Sequence, residues 1–319
     1  MKSSNNGIYY IVDDTFINSF NSNHVEYMKD FYYKKYIKYC EWKKSTPLKK
    51  ETFFTNMRRR RVKIFQVCCP YCGNMEVLVL RDKIENINKF KFCWHCGKSS
   101  VSYNVFSQLS SFARIGHFHG IGLKAMKLIH KEDNIKILTY EVFHLELVQL
   151  TSILEVILRD FFEAFIYTNY LGARDNYISK LINKSNGNDF MNIEKANNHY
   201  KKALDINLRS HIDNDTWNDL IDLVNIRNTI VHNNGMADKK FKSTKTFSNI
   251  QENINGELIF ISAELVRKYF SQVQKVADII GKLFEERYAI KKYDLIANYY
   301  FNLQQRDMKD KNITQTKKY

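Results

Sequence analysis

Proline and glycine are scarce in this chain, with 2 Pro and 11 Gly in 319 residues. So few breakers and turn formers exclude a fold of many short strands and point to long helices. No stretch reaches the roughly 18 uninterrupted apolar residues of a membrane span, and no membrane partner is expected. The start, Met1-Lys2-Ser3-Ser4-Asn5-Asn6, has no apolar core of the kind a secretion signal needs. Acidic residues are also in deficit, 34 Asp/Glu against 49 Lys/Arg, for a formal net charge of +15.

What is present excludes a disordered chain: 44% of residues are hydrophobic, including 22 Phe and 20 Tyr. The usage is rich in Lys, Asn, Ile and Tyr, so a single lysine carries little weight. The charge is uneven. Residues 1–106 hold 19 Lys/Arg against 9 Asp/Glu, whereas the remaining 213 residues hold 30 against 25. A concentration of that sign attracts polyanions, nucleic acid before anionic membrane. The alternative is a solvated surface. The densest run, Arg58-Arg59-Arg60-Arg61-Val62-Lys63, is the candidate phosphate-binding segment.

Four of the six cysteines fall in two matched pairs, Cys69-Pro70-Tyr71-Cys72-Gly73 and Cys93-Trp94-His95-Cys96-Gly97, twenty residues apart. Two cysteines separated by two residues chelate one ion, and the following glycine permits the tight turn. With no secretion signal, these read as zinc ligands rather than disulfides, and the location expected is cytoplasmic. The alternating residues 75–80 and 89–92 are expected strands of a zinc ribbon. Four thiolates close a tetrahedral shell, so the Zn2+, one per chain, is expected to be structural, with no catalytic metal. The ribbon's role stays open between nucleic-acid binding and protein docking. Cys68 competes with Cys69, which has the better register.

Apolar periodicity predicts a helix over 24–44 that ends before Pro47, a long helix over 134–171 and a polar helix over 191–208. A further helix opens at Asp215-Thr216, with Thr216 and Asp219 as a capping box, and stops at Asn233-Asn234-Gly235. Residues 107–132, with Gly116, Gly120 and Gly122, read as a loop leading into a short helix. Residues 172–190 read as a loop or broken helix, and 241–262 as a β-hairpin turning at Asn255-Gly256. A last apolar helix is expected over 262–290, running on to about Leu303.

The helix ending at His232 carries Arg227-Asn228-Thr229-Ile230-Val231-His232. Trp217, Ile221, Val224 and Val231 share a stripe that Asn228 interrupts. Leu220, Leu223 and Ile230 share the next, which Arg227 interrupts. Polar groups on a face meant for burial are costly unless they have partners or a task. His232 lies in the last turn, where the helix dipole favours a cationic ring. The alternative is a structural arginine paired with a core carboxylate, plus a capping histidine. Arg114 and His119 have the same spacing, but in a glycine-containing stretch with no helical setting.

Arg-Asn-x-x-x-His at a helix end, followed by Asn-Asn-Gly, resembles the signature of the HEPN superfamily. So does the order of a long apolar helix, a polar helix, the motif helix, a hairpin and a last helix, over roughly residues 134–303. The resemblance implies a HEPN-like helical bundle (134–305); with the small β zinc ribbon read from the cysteine pairs (63–106) and the basic, aromatic N-terminal helical segment (1–62), which nothing in the family resembles, the expected fold is mainly α. A linker with a short helix (107–133) and a flexible tail (306–319) complete the expected division. The implied activity is metal-independent endoribonuclease cleavage by 2′-hydroxyl attack, leaving 2′,3′-cyclic phosphate ends, with RNA as substrate and a homodimer as the working form. His232 would serve as general acid or base, Arg227 would hold the phosphate and Asn228 would orient His232. Glu155, alone among apolar neighbours on the long helix, is an accessory candidate, the alternative being a pair with Arg159. Phage defence or a toxin system is the implied setting, with an antitoxin or a phage-derived trigger as partner. Two other readings stay open: a non-catalytic HEPN protein that binds RNA or docks a partner, and a zinc-ribbon DNA-binding regulator.

Overall fold

The computed structural model describes residues 11–12, 30, 33–34, 36–59, 62–68, 71, 75–81, 93, 96–129, 132–169, 189–287 and 305. It is mainly α-helical. Two compact units divide it, residues 1–100 with 287–319, and residues 101–286. No helix among the described residues is long and apolar enough to cross a membrane.

In the first unit, helix α1 covers residues 36–42 and helix α2 covers Lys50–Arg59. Tyr36 stacks on Phe53 with ring centroids 4.2 Å apart. Around Pro47, the Tyr33 hydroxyl donates to the Leu48 carbonyl (2.6 Å) and the Leu48 N–H donates to the Tyr36 hydroxyl (3.1 Å). Strands β1 (Ile11–Val12), β2 (Val62–Cys68) and β3 (Met75–Arg81) form an antiparallel sheet with β2 in the middle. Both long strands are rich in Val, Ile, Leu and Phe, which suit a pleated surface. The strand expected at 75–80 is therefore present. Its partner is Val62–Cys68, paired from Val62↔Arg81 to Cys68↔Met75. The strand expected over 89–92 lies outside the described residues.

The second unit runs α3 (Val101–Met126), α4 (Glu132–Asn169), a 3₁₀ turn (Asp189–Met191), α5 (Ile193–Leu204), α6 (Leu208–His211) and α7 (Asn214–Asn233). Then come α8 (Lys239–Lys242), α9 (Lys245–Asn249), a 3₁₀ turn (Gln251–Asn253), β4 (Ile254–Asn255) and β5 (Leu258–Ile259). A last helix, α10, covers 263–287. The long helix α4 is central and packs against α3, α5 and α7. Its Leu147, Leu150, Leu154, Ile157, Leu158 and Phe161 are buried, as are Leu220, Leu223 and Ile226 of α7 and Val273, Val276 and Ile280 of α10. Tyr200 of α5 is fully buried, and its hydroxyl donates to the Leu158 carbonyl (2.8 Å).

Three expectations need correction. Residues 107–132 are not a loop with a short helix, because Val101–Met126 is one continuous helix. Val101, Val105, Leu109 and Phe112 are buried at helical spacing, and Phe112 stacks on Phe270 at 5.2 Å. That burial outweighs the roughly 1 kcal/mol that each interior glycine costs a helix. Residues 241–262 are not one hairpin. Asp238 accepts from the Phe241 N–H and Thr244 from the Phe247 N–H, so each caps a short helix. Only the two-residue strands around Asn255-Gly256 remain, with Gly256 at φ +64° as the turn requires. The start of α7 is capped by Asp213, whose carboxylate accepts from the Thr216 N–H at 2.9 Å. Asp213, not Thr216, is the capping residue.

Candidate functional site

Helix α7 has two unlike halves. The first is fastened into the unit. Asp219 receives Lys268 at 2.7 Å and Gln272 at 3.1 Å. Asp222 accepts from Asn249 at 2.8 Å, and Asn225 donates to Thr246 at 2.8 Å. The second half emerges from the core. Leu220 and Leu223 are wholly buried, whereas Val231 is 44% exposed and Asn228 and His232 are exposed. Burial fades along the helix where the sequence places Arg227, Asn228 and His232.

Arg227 is half-buried. Its Nη1 donates to the Asn228 side-chain oxygen at 3.1 Å, while its Nε is buried and has no hydrogen-bond partner among the described residues. A buried guanidinium donor without an acceptor calls for an explanation, since such groups are nearly always satisfied. The structural alternative, an arginine paired with a core carboxylate, is not what is found. Neither Arg227 nor His232 forms an ion pair among the described residues. Asn228 is engaged by Arg227, and no hydrogen bond joins it to His232. His232 lies five positions after Arg227, which puts them about 140° apart around the helix and about 7.5 Å along it.

The helix stops where expected. Asn234 takes a left-handed conformation (φ +51°), and the Gly235 N–H donates back to the Thr229 carbonyl at 3.2 Å. The residues against that stop were not anticipated. The rings of Tyr140 and His144 of α4 meet at a tilt, with centroids 3.8 Å apart, and press on Gly235. His144 is buried, with Nε2 3.3 Å from the Ile259 carbonyl, and desolvation holds its ring below the usual histidine range. The neutral ring then donates Nε2–H to Ile259. The Tyr140 hydroxyl is buried without a partner among the described residues, and burial pushes its phenol up. Their spacing, two polar rings four residues apart on a largely apolar helix, is the signal that marks them in the sequence.

Glu155 lies 3.5 Å from Arg159, so its carboxylate is engaged along its own helix. The second Arg–His match also differs from its sequence reading. Arg114 and His119 lie on the helix α3, and His119 Nδ1 is 2.6 Å from the buried carboxylate of Glu146.

In the first unit, Arg58 and Arg59 end α2 and Lys63 lies on β2 opposite Leu80, whereas Arg60 and Arg61 lie outside the described residues. The same is true of Cys69 and Cys72. The residues around them fit a metal knuckle. Strands β2 and β3 pair up to Cys68↔Met75, and in the sequence Cys69 and Cys72 fall between these two strands. At the other pair, the Gly97 N–H donates to the Cys93 carbonyl (2.8 Å) and Gly97 takes φ +72°. This is the turn a Cys-x-x-Cys-Gly knuckle needs. Lys98 Nζ lies 4.9 Å over the Tyr71 ring, so a residue between Cys69 and Cys72 meets the one that follows Gly97. The donor chemistry of the four cysteines and the turn at Gly97 suit a four-thiolate zinc.

Comparison with protein-family models, curated proteins and solved structures returns no match for this chain.

Proposed function

We propose that this chain is a metal-independent endoribonuclease of the HEPN type, acting as a homodimer, with a structural zinc held by Cys69, Cys72, Cys93 and Cys96. The observation that carries this reading is the Arg227 guanidinium, buried at Nε without an acceptor among the described residues, beside the exposed Asn228 and His232. Arg227 is half-buried, and a guanidinium binds phosphate oxygens through charged, paired hydrogen bonds, so a phosphodiester is the partner proposed for it.

The chemistry follows from the groups at hand. The ribose 2′-hydroxyl attacks the adjacent phosphorus, and the bond to the 5′-oxygen of the next nucleotide breaks. His232 takes the proton from the attacking hydroxyl or gives one to the leaving 5′-oxygen, as general base or acid. Arg227 stabilises charge on the phosphoryl oxygens in the transition state. The products are a 2′,3′-cyclic phosphate and a 5′-hydroxyl, and DNA, with no 2′-hydroxyl, is inert. Arg227 and His232 diverge around one helix, so two copies of the helix facing one another assemble a fuller groove than one does. Glu155 is left out of the chemistry, because it is engaged by Arg159.

The test is incubation of the purified chain with total RNA in a magnesium-free buffer containing chelator, beside Arg227→Ala and His232→Ala. Cleavage by the wild type alone, leaving cyclic phosphate ends, supports the reading. Cleavage that needs added magnesium, or that survives in His232→Ala, overturns it.

A further inference from the structure

Four residues after His232 the chain forms a small exposed platform. The Ile259 N–H donates to the Gly235 carbonyl (2.9 Å), the Ala237 N–H donates to the Glu257 carbonyl (2.7 Å), and Met236 bridges Leu258. The β4–β5 hairpin is thereby stitched to the residues that leave α7. Side chains alternate across this patch as they do across a sheet. Ala237, Ile259 and Ile261 point inward and are at most 2% exposed, whereas Met236 (50%), Leu258 (37%) and Phe260 (43%) are left to solvent. The underside is anchored to α4 by His144 at the Ile259 carbonyl, and Tyr140 flanks Phe260 at 6.4 Å. Met236 is at most about 14 Å of extended chain from His232.

Cations border the platform. The Asn233 side chain donates to Asp238 at 3.0 Å, which ties α8 to the end of the motif helix. Lys239, Lys240 and Lys245 are exposed and have no ion-pair partner among the described residues, whereas Lys242 is held by Glu257 at 2.7 Å. Asp238, whose carboxyl Lys240 helps to hold below the usual range, is also engaged by the Phe241 N–H and by Asn233. An exposed aromatic and thioether surface flanked by unpaired lysines matches what single-stranded nucleic acid offers: stackable base faces and a phosphate backbone.

Resting on the ribonuclease reading of Arg227 and His232, we infer that this platform binds the substrate strand beside the scissile phosphate. An unpaired base stacks on Phe260 and Met236, and the neighbouring phosphates lie on Lys239 and Lys240. The substrate class is then single-stranded RNA or an unpaired loop, because bases held in a duplex present no free face to stack.

The experiment uses the full chain with His232→Ala, so that binding is read without cleavage. The probe is a short fluorescein-labelled single-stranded RNA, and the same sequence in duplex form is the control. Phe260→Ala raises Kd at least about fivefold for the single strand, as loss of one stacked base does, and Phe260→Tyr restores it. Lys239→Ala with Lys240→Ala reduces the slope of log Kd against log salt by about 0.7 for each phosphate no longer neutralised. Unchanged thermal midpoints show that the variants are folded, as expected for exposed side chains. Single-strand affinity that ignores both changes, or equal affinity for duplex and single strand, overturns the inference. So does a Phe260→Ala chain that changes only its oligomeric mass, which would make the platform a protein contact. Phe260-dependent binding by a wild-type chain that cuts no RNA would sink the ribonuclease reading and leave the platform standing.

Discussion

Tyr140 and Gly235 approach so closely that a Cβ built on Gly235 would lie 2.6 Å from the Tyr140 hydroxyl, with His144 Cε1 at 2.9 Å. The glycine that follows the cap of the motif helix is therefore locked against the long helix, and it has φ +77° besides. Gly235→Ala should destabilise the chain twice over, by about 1–2 kcal/mol for the left-handed backbone and about 1–3 kcal/mol for overpacking. Tyr140→Phe removes a hydroxyl that has no partner among the described residues, so alone it should be close to neutral. Combined with Gly235→Ala it should recover part of the loss, never all. Thermal denaturation of the four chains checks this, and a Tyr140→Phe background that changes nothing would contradict the contact.

Acid should weaken the same junction through His144. Desolvation puts the folded ring below the ordinary histidine value, so between the two values the unfolded chain binds more protons than the native one. Stability is then fully present above about pH 6.5, the unfolded value, and is lost as pH falls through the folded value. His144→Gln keeps an N–H for the Ile259 carbonyl but cannot titrate. It should flatten the fall in thermal midpoint between about pH 7 and pH 5, and an equally steep fall in the variant would place the titrating group elsewhere.

The base of the motif helix depends on Asp219, which is 9% exposed and holds Lys268 and Gln272 together. Asp219→Ala leaves both donors without their acceptor, at a cost of about 1–3 kcal/mol. Asp219→Asn, which still accepts from one of them, should fall between. Midpoints in urea give the ranking. An alanine variant as stable as the wild type would mean that the network contributes nothing to the fold.

The chain purified without chelator should carry one zinc, measured by elemental analysis. Cys93→Ser or Cys96→Ser should remove it almost completely, because a three-thiolate site loses both a ligand and its closed shell. The helical far-UV signal, which comes mostly from residues 101–286, should survive. A wild type without stoichiometric zinc would refute the assignment.

Much of this was legible before any coordinates. The 3.6-residue apolar period of 132–169 and 214–233 marks both helices, because a helix buried on one side must repeat its contacts every turn. Asn234-Gly235 marks the stop and Asn255-Gly256 the turn, because few residues tolerate positive φ. Chain order exposes two polar interruptions, Arg227 and Asn228, on an apolar helix. Tertiary structure alone decided the rest. Three glycines argued against a helix at 107–126, and burial against the long helix and Phe270 reversed that preference. Alternation suggested a hairpin from 241, and two caps, Asp238 and Thr244, turned most of it into helix. Whether Arg227 would meet a carboxylate, and whether Tyr140 and His144 would close on Gly235, depended on segments some ninety residues apart coming together. Local propensity carries no information about such long-range contacts, so those pairings are fixed only when the helices pack.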